Sequence, residues 1–219
     1  AGESARQGRG QAVGEDLALV LGERAQQPQP VGGLAEFGER RLGQQAGTLT
    51  YAATTFDLGQ RLRRVVEDYS PHLAARGVFV VDDLPSDIRV HCDQNALESA
   101  IVNLLENAAK YGREGETEHE IELALTTAAG AAVVEVRDHG RGIPPEERER
   151  IFDGFYRATN AGEARGAGLG LNLVRHFARA HGGDITAQPR DGGGTVMRLT
   201  LPLAADAATM PAANAPQDS

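Results

Sequence analysis

Asp93-Gln-Asn-Ala-Leu-Glu-Ser-Ala-Ile-Val-Asn-Leu-Leu-Glu-Asn-Ala-Ala-Lys-Tyr111 carries a fold signal and a chemical one. Leu97, Ile101, Leu104, Leu105 and Ala108 recur at helical spacing, which predicts one amphipathic helix with a buried stripe. Asp93 stands where an N-cap carboxylate accepts unpaired backbone N–H groups. Gly112 stands where a left-handed C-cap would end the helix. Asn103, Asn107 and Lys110, spaced i, i+4, i+7, form a second face. Two carboxamides and an ammonium in a row suit a metal ion and the phosphates it neutralises. The same row also suits a solvated helix face, and its neighbours have to decide.

Downstream, residues 112–119 form a charged loop. Ile121-Glu-Leu-Ala-Leu125 and Ala132-Val-Val-Glu-Val-Arg137 alternate as half-buried strands around an Ala129-Gly130 turn. The second strand runs into Asp138-His-Gly-Arg-Gly-Ile143. Pro144-Pro145, a short acidic-basic helix and Ile151-Phe-Asp-Gly-Phe-Tyr-Arg157 follow. Residues 158–166 read as a mobile loop. Gly166-Ala-Gly-Leu-Gly-Leu171 opens a helix ending near His181-Gly182-Gly183, and Ile185–Gln188 with Thr195–Leu201 make a hairpin around Asp191-Gly-Gly-Gly194.

Upstream, Val78–Val81 and Ile88–Cys92 are short strands with residues 82–87 as the turn between them. Residues 57–75 predict a helix with Leu58, Leu62, Val65, Val66 and Tyr69 on one stripe and Pro71 as a kink. Residues 11–27 and 34–54 have weaker helical patterns, split by Pro28-Gln-Pro30. That pair is too small to be stable alone, so it needs docking or dimerisation. The expected organisation is a helical segment over 1–55, an α/β (α+β) domain over 56–203 and a disordered tail over 204–219. The domain is expected to be a mixed, mostly antiparallel sheet with helices on one face.

The 219 residues carry 41% hydrophobic residues, enough for a core, but no Trp and only 5% aromatics, so aliphatic residues must build it. A net charge of −9 argues against nucleic acid as the main partner. It also means that any phosphate site needs local donors. A single cysteine, Cys92, excludes an internal disulfide and a cysteine-rich zinc site. It fits a reducing, cytoplasmic compartment, whether the protein is free there or is the cytoplasmic part of a membrane-anchored one. No apolar run approaches the roughly 20 residues that span a bilayer. The six histidines show no paired ligand spacing, and no Gly-x-Ser-x-Gly elbow is present.

Asp138-x-Gly140-x-Gly142 sets a carboxylate at a strand end before two permissive glycines. A buried Asp there accepts from an exocyclic amine, or caps its own turn. Gly166-x-Gly168-Leu-Gly170 opens a helix whose N–H groups suit phosphate, or is a flexible loop. Arg157 reaches a phosphate from a lid, or makes a surface ion pair. Gly192–Thr195, taken alone, is a hairpin turn.

Taken together and in order, these motifs resemble the ATP-binding catalytic domain of sensor histidine kinases, in the GHKL superfamily (Bergerat fold) shared with gyrase-type ATPases and anti-sigma-factor kinases. Asn103–Tyr111 resembles the N-box, Asp138–Ile143 the first glycine box, Ile151–Arg157 the F-box, Gly166–Leu171 the second glycine box and Gly192–Thr195 the third. The resemblance covers about residues 56–203. It implies ATP under a mobile lid, with Asn107 as the Mg²⁺ ligand. Lys110 and Arg157 neutralise phosphate charge, Asp138 accepts from the adenine amine and Tyr111 lies by the base or ribose. Asn103, Lys110 and Arg157 take the catalytic positions. The implied nucleotide lining adds Gly140, Gly142, Ile143, Phe152, Gly166, Gly168, Leu169, Gly170, Leu171 and Thr195.

ATP-hydrolysing relatives carry a glutamate base where this chain has Asn103, and an amide cannot take that proton. The resemblance also implies a histidine-bearing phosphoacceptor domain, a response regulator and a homodimer through residues 1–55. Those residues contain no histidine, so the acceptor is truncated away, lost or carried by another protein. Asp153-Gly154 is softer than the usual Glu-Pro of the F-box. The alternatives are an ATP-binding regulatory module without phosphotransfer and an anti-sigma-type serine kinase.

Overall fold

The computed structural model describes residues 51–112, 118–161 and 167–204. The helical patterns expected before residue 51, most of the charged loop, Gly166 and the tail from residue 205 lie outside the described residues. Among the described residues seven strands and three α-helices run in the order β1 (Ala53–Asp57), α1 (Leu58–Ala74), β2 (Val78–Asp83), β3 (Arg89–Asp93), α2 (Gln94–Tyr111), β4 (His119–Ala128), β5 (Ala131–Arg137), α3 (Gly170–Ala180), β6 (Asp184–Pro189) and β7 (Thr195–Pro202).

The main sheet has the order β2-β4-β5-β7-β6, with β2–β4 parallel and every other pair antiparallel. Alternation along each strand sends one set of side chains inward. Ile121, Leu123 and Leu125, then Ala132, Val134 and Val136, then Met197, Leu199 and Leu201, are all buried. They meet Leu58, Leu62, Leu97, Ile101, Leu104, Leu105, Val174 and Phe177 from the three helices in one core. This is the expected layering of helices on one face of a mostly antiparallel sheet. Among the described residues no helix is long and apolar enough to cross a membrane.

The central helix ends as its sequence dictates at one side and differently at the other. Asp93 Oδ1 accepts the Ala96 N–H at 2.9 Å, an N-cap, while Oδ2 accepts the Ala52 N–H at 2.8 Å. The Asp93 N–H donates to His181 Nε2 at 3.2 Å, which ties the start of α2 to the end of α3. Gly112, expected to be left-handed, has φ −57° instead. Glycine is needed there for space, because a Cβ would lie 2.7 Å from the His119 ring and 2.9 Å from the Ala108 carbonyl.

Three further expectations are corrected. Residues 53 and 54, assigned to a helix, begin β1, which pairs with β3 from Ala53↔Asp93 to Asp57↔Arg89. Thr54, Thr55 and Phe56 favour a strand, and Thr55 Oγ1 meets His91 Nδ1 at 2.9 Å across it. Secondly, β2 and β3 do not form a hairpin. β2 pairs with β4, and the parallel arrangement uses α2 as its crossover. Thirdly, the short helix after Pro144 is two 3₁₀ turns, Pro145–Glu147 and Arg150–Phe152. α1 continues through Pro71 to Ala74.

Removing the α2 cap gives a stability test. Asp93→Ala is expected to cost about 1–2 kcal/mol in denaturant unfolding. Burial pushes the Asp93 carboxyl up, but the N–H groups of Ala96, Ala52 and Asn95 outweigh it and hold it below the ordinary 3.8. A depressed acid contributes stability above its unfolded value and loses it as pH falls through the folded one. The gap between wild type and variant should therefore narrow below pH 3.8; a gap that persists unchanged there would assign the effect to packing.

Candidate functional site

The expected functional side chains converge on a cleft of about 340 Å³ between α2, the C-terminal end of β5, the turns after it and the start of α3. α2 contributes Asn103, Asn107, Lys110 and Tyr111 along one side. Its other stripe is fully buried, so core packing fixes which way this row faces. The Asn103 amide donates to the Ser99 carbonyl at 2.9 Å, which sets its rotamer.

Asp138 closes the far end. It is 7% exposed at the end of β5. Its Oδ1 accepts the Gly140 N–H at 2.8 Å and the Thr195 N–H at 3.2 Å. Both described hydrogen bonds therefore end on one oxygen, and Oδ2 accepts from neither. Burial pushes the carboxyl above its ordinary range, and the two N–H groups offset only part of that. The turn is built on close approach. A Cβ on Gly140 would lie 1.9 Å from the Tyr111 carbonyl, and one on Gly194 would lie 2.0 Å from that of Asp138. Gly142 has φ +72° and places Ile143 on the cleft wall. Thr195 is 5% exposed and lines the floor beside Asp138. The third glycine motif is thus a hairpin turn and part of the site together.

The remaining wall comes from the start of α3. Gly168, Leu169, Gly170 and Leu171 line it, and Leu169 caps the helix without a side-chain hydrogen bond. The first intrahelical bond there runs from the Leu173 N–H to the Leu169 carbonyl at 3.0 Å, so the N–H groups before it are left for other acceptors. A Cβ on Gly170 would sit 2.9 Å from Asn103 Oδ1, so glycine lets the helix start abut the α2 row. Arg157 lines the mouth.

Three expected residues stand apart from the lining. Gly140 shapes the turn from behind. Phe152 is 2% exposed in the core, with the Arg175 guanidinium over its ring at 5.0 Å, so it supports α3 and does not face the cleft. Gly166 lies outside the described residues.

The loop expected to be mobile from residue 158 is anchored at both described shoulders. The Thr159 N–H donates to the Glu147 carboxylate at 3.0 Å, and a hydrogen bond from the Thr159 side chain, with this one behind it, holds that acid below its ordinary range. Asn160 Nδ2 donates to the Gly142 carbonyl at 3.0 Å, while Arg141 Nη1 donates to the Asn160 carbonyl at 2.5 Å. On the other shoulder the Phe155 N–H donates to the Gly168 carbonyl at 3.0 Å, with Phe155 at φ +66° and Gly168 at φ +72°. Arg141 and Asn160 also line the cleft and were missed in the sequence. Arg141 is the variable position of Asp-x-Gly-x-Gly, and nothing in Ala-Thr-Asn-Ala distinguishes Asn160 from a loop residue. Among the described residues no group of three or more His, Cys, Asp or Glu is arranged to hold a metal ion. A carboxamide supplemented by a ligand's own phosphate oxygens and water is a sufficient set for Mg²⁺, which needs few protein ligands.

Residues 92–205 match the family described as histidine kinase-, DNA gyrase B- and HSP90-like ATPase. The adaptive-response sensory kinase SasA of Crocosphaera subtropica is 37% identical over 143 residues, covering 64% of this chain and 37% of SasA. The sensor protein CutS of Streptomyces coelicolor is 43% identical over 109 residues, covering 49% of this chain and 26% of CutS. The chain thus spans well under half the length of these relatives. Among solved structures, full-length ShkA in complex with AMPPNP matches with TM-score 0.63 and 26% identity, over 81% of this chain and 36% of ShkA. The mycobacterial sensor histidine kinase MprB matches with TM-score 0.58 and 27% identity, over 69% of this chain and 98% of that one. A match over more than half of its length shows that the chain belongs to the histidine kinase-, DNA gyrase B- and HSP90-like ATPase family.

Proposed function

We propose that the cleft binds Mg²⁺-ATP and that this chain is the ATP-binding catalytic part of a sensor histidine kinase. The observation that carries the reading is convergence. A buried carboxylate, a row of two carboxamides and an ammonium, and an uncapped helix start all line one cleft. Asp138 Oδ2 suits the adenine amine. Asn107 would hold Mg²⁺, which would supply positive charge to neutralise the phosphates. Lys110 and Arg157 add positive charge, and the N–H groups at the start of α3 receive phosphate oxygens. Phosphoryl transfer asks mainly for this positioning and charge neutralisation. The transferred group leaves ADP as its bond to the β-phosphate oxygen breaks, and a P–N bond forms to an imidazole nitrogen. That imidazole belongs to a phosphoacceptor domain, since residues 1–55 contain no histidine. A response regulator and dimerisation through residues 1–55 complete the proposed setting.

Asn103 stands where a water-activating carboxylate would be needed, so ATP is expected to survive without an acceptor. The test supplies radiolabelled ATP and Mg²⁺ to this chain, alone and with the histidine-bearing hairpin of a relative. Slow release of phosphate alone, and acid-labile label on the hairpin, are expected. Rapid hydrolysis alone with no label on the hairpin would overturn the kinase reading in favour of an ATPase.

A further inference from the structure

Glu106 lines the same cleft, one residue before Asn107 and four before Lys110. A carboxylate there is awkward for a phosphate site. It repels the ligand, and a Glu four residues before a Lys on a helix is the favoured arrangement for an ion pair. The structure turns it elsewhere. Glu106 Oε1 accepts the Tyr69 hydroxyl at 2.5 Å and Arg76 Nη1 at 2.9 Å; Oε2 lies 3.1 Å from the same nitrogen. His72 Nε2 stands 3.6 Å from Oε1. Tyr69 and His72 lie on α1, and Arg76 follows its end. Burial, and then Glu106 itself, push the Tyr69 phenol far above its ordinary 10.0, so it remains a donor at any working pH.

We propose that Tyr69 and Arg76 are positioning residues that hold Glu106 against α1, so that its charge neither competes for Lys110 nor faces the phosphates. The inference rests on the Mg²⁺-ATP reading of the cleft. It differs from a plain strut between α1 and α2 in one respect: its effect must scale with ligand charge. Arg61 and Glu98 supply the comparison, because they join the same two helices at 2.5 Å and neither lines the cleft.

Calorimetry with Mg²⁺-ATP, Mg²⁺-ADP and adenosine tests it on wild type, Arg76→Ala, Arg61→Ala and the double variant Arg76→Ala/Glu106→Gln. Arg76→Ala is expected to weaken ATP by about threefold to fivefold, the scale of a part-exposed charge interaction. ADP should lose less and adenosine nothing. The loss should shrink in high salt. Glu106→Gln in the Arg76→Ala background should restore ATP affinity, and Arg61→Ala should leave all three ligands alone. Tyr69→Phe keeps the buried ring and tests the same restraint should Arg76→Ala fail to fold. Equal losses for adenosine and ATP, no loss for either, or failure of the double variant to recover would overturn the inference while the ATP site stands. A wild-type chain that binds neither adenosine nor ATP would overturn the reading of the cleft and this inference with it.

Discussion

Asp138→Asn is expected to weaken Mg²⁺-ATP binding by about tenfold to a hundredfold while leaving the fold in place. The substitution is nearly isosteric, and an asparagine oxygen still accepts the Gly140 and Thr195 N–H groups that now end on Oδ1. What changes is the second oxygen. It becomes an NH₂ group, which on the proposed reading would face the adenine amine, donor against donor. Losing a hydrogen bond to a charged group costs about 1.5–3 kcal/mol, with one decade of affinity per 1.4 kcal/mol. Calorimetry measures the loss, and a denaturant midpoint close to wild type would separate it from unfolding. The pH dependence has a defined sign. Burial raises the Asp138 carboxyl above its ordinary 3.8, so wild-type affinity should fall at a higher pH than an exposed Asp would permit. The Asn variant should lack that fall. For the fold the same shift runs the other way: protonation is favoured in the native state, and the charged form reduces stability as pH rises through the shifted value. A variant that binds ATP as wild type does would mean that Asp138 only caps its turn.

What spacing alone made legible are the parts whose partners lie within one element, whereas Asp138 and Thr195, joined across 57 positions, were reached only through the family motifs. The α2 stripe and the face opposite it follow from helical spacing alone, and Leu97, Ile101, Leu104, Leu105 and Ala108 are all buried as that spacing requires. The Asp93 cap is a contact three residues long. What was not legible depends on partners far along the chain. β1 is a strand because β3 offers it a ladder, and Thr55 meets His91 across 36 positions. Gly112 looked like a left-handed cap until the ring of His119 supplied a different reason for glycine. Residues 159 and 160 have loop composition, but Glu147, Gly142 and Arg141 anchor them. Glu106 reads as one more polar residue of α2, and only the packing of α1 shows where its charge is held.

Gly194→Ala is expected to be more damaging than alanine at either of its neighbours in the same turn, and that comparison makes the cause testable. Gly192, Gly193 and Gly194 have φ of +85°, +100° and +105°. An alanine at any of them is strained, at about 1–2 kcal/mol for an L-residue in the left-handed region. At Gly192 and Gly193 nothing lies within 4 Å of the added Cβ, so strain is the whole effect. At Gly194 the methyl would be 2.0 Å from the Asp138 carbonyl oxygen and 2.9 Å from the His139 Cα. Backbone atoms cannot swing aside as a side chain does, so the strand end must separate from the turn, adding about 1–3 kcal/mol of overpacking. The sum, roughly 2–5 kcal/mol, is a large part of the 5–15 kcal/mol that holds a domain folded. It falls on the contact that delivers the Thr195 N–H to Asp138. Gly194→Ala should therefore lower both the denaturant midpoint and ATP affinity, whereas Gly192→Ala should lower only the midpoint, and by less. Equal midpoints for the two variants would show that the turn slides away from Asp138 at little cost. The close approach would then be incidental, and the third glycine motif would be a hairpin turn and nothing more.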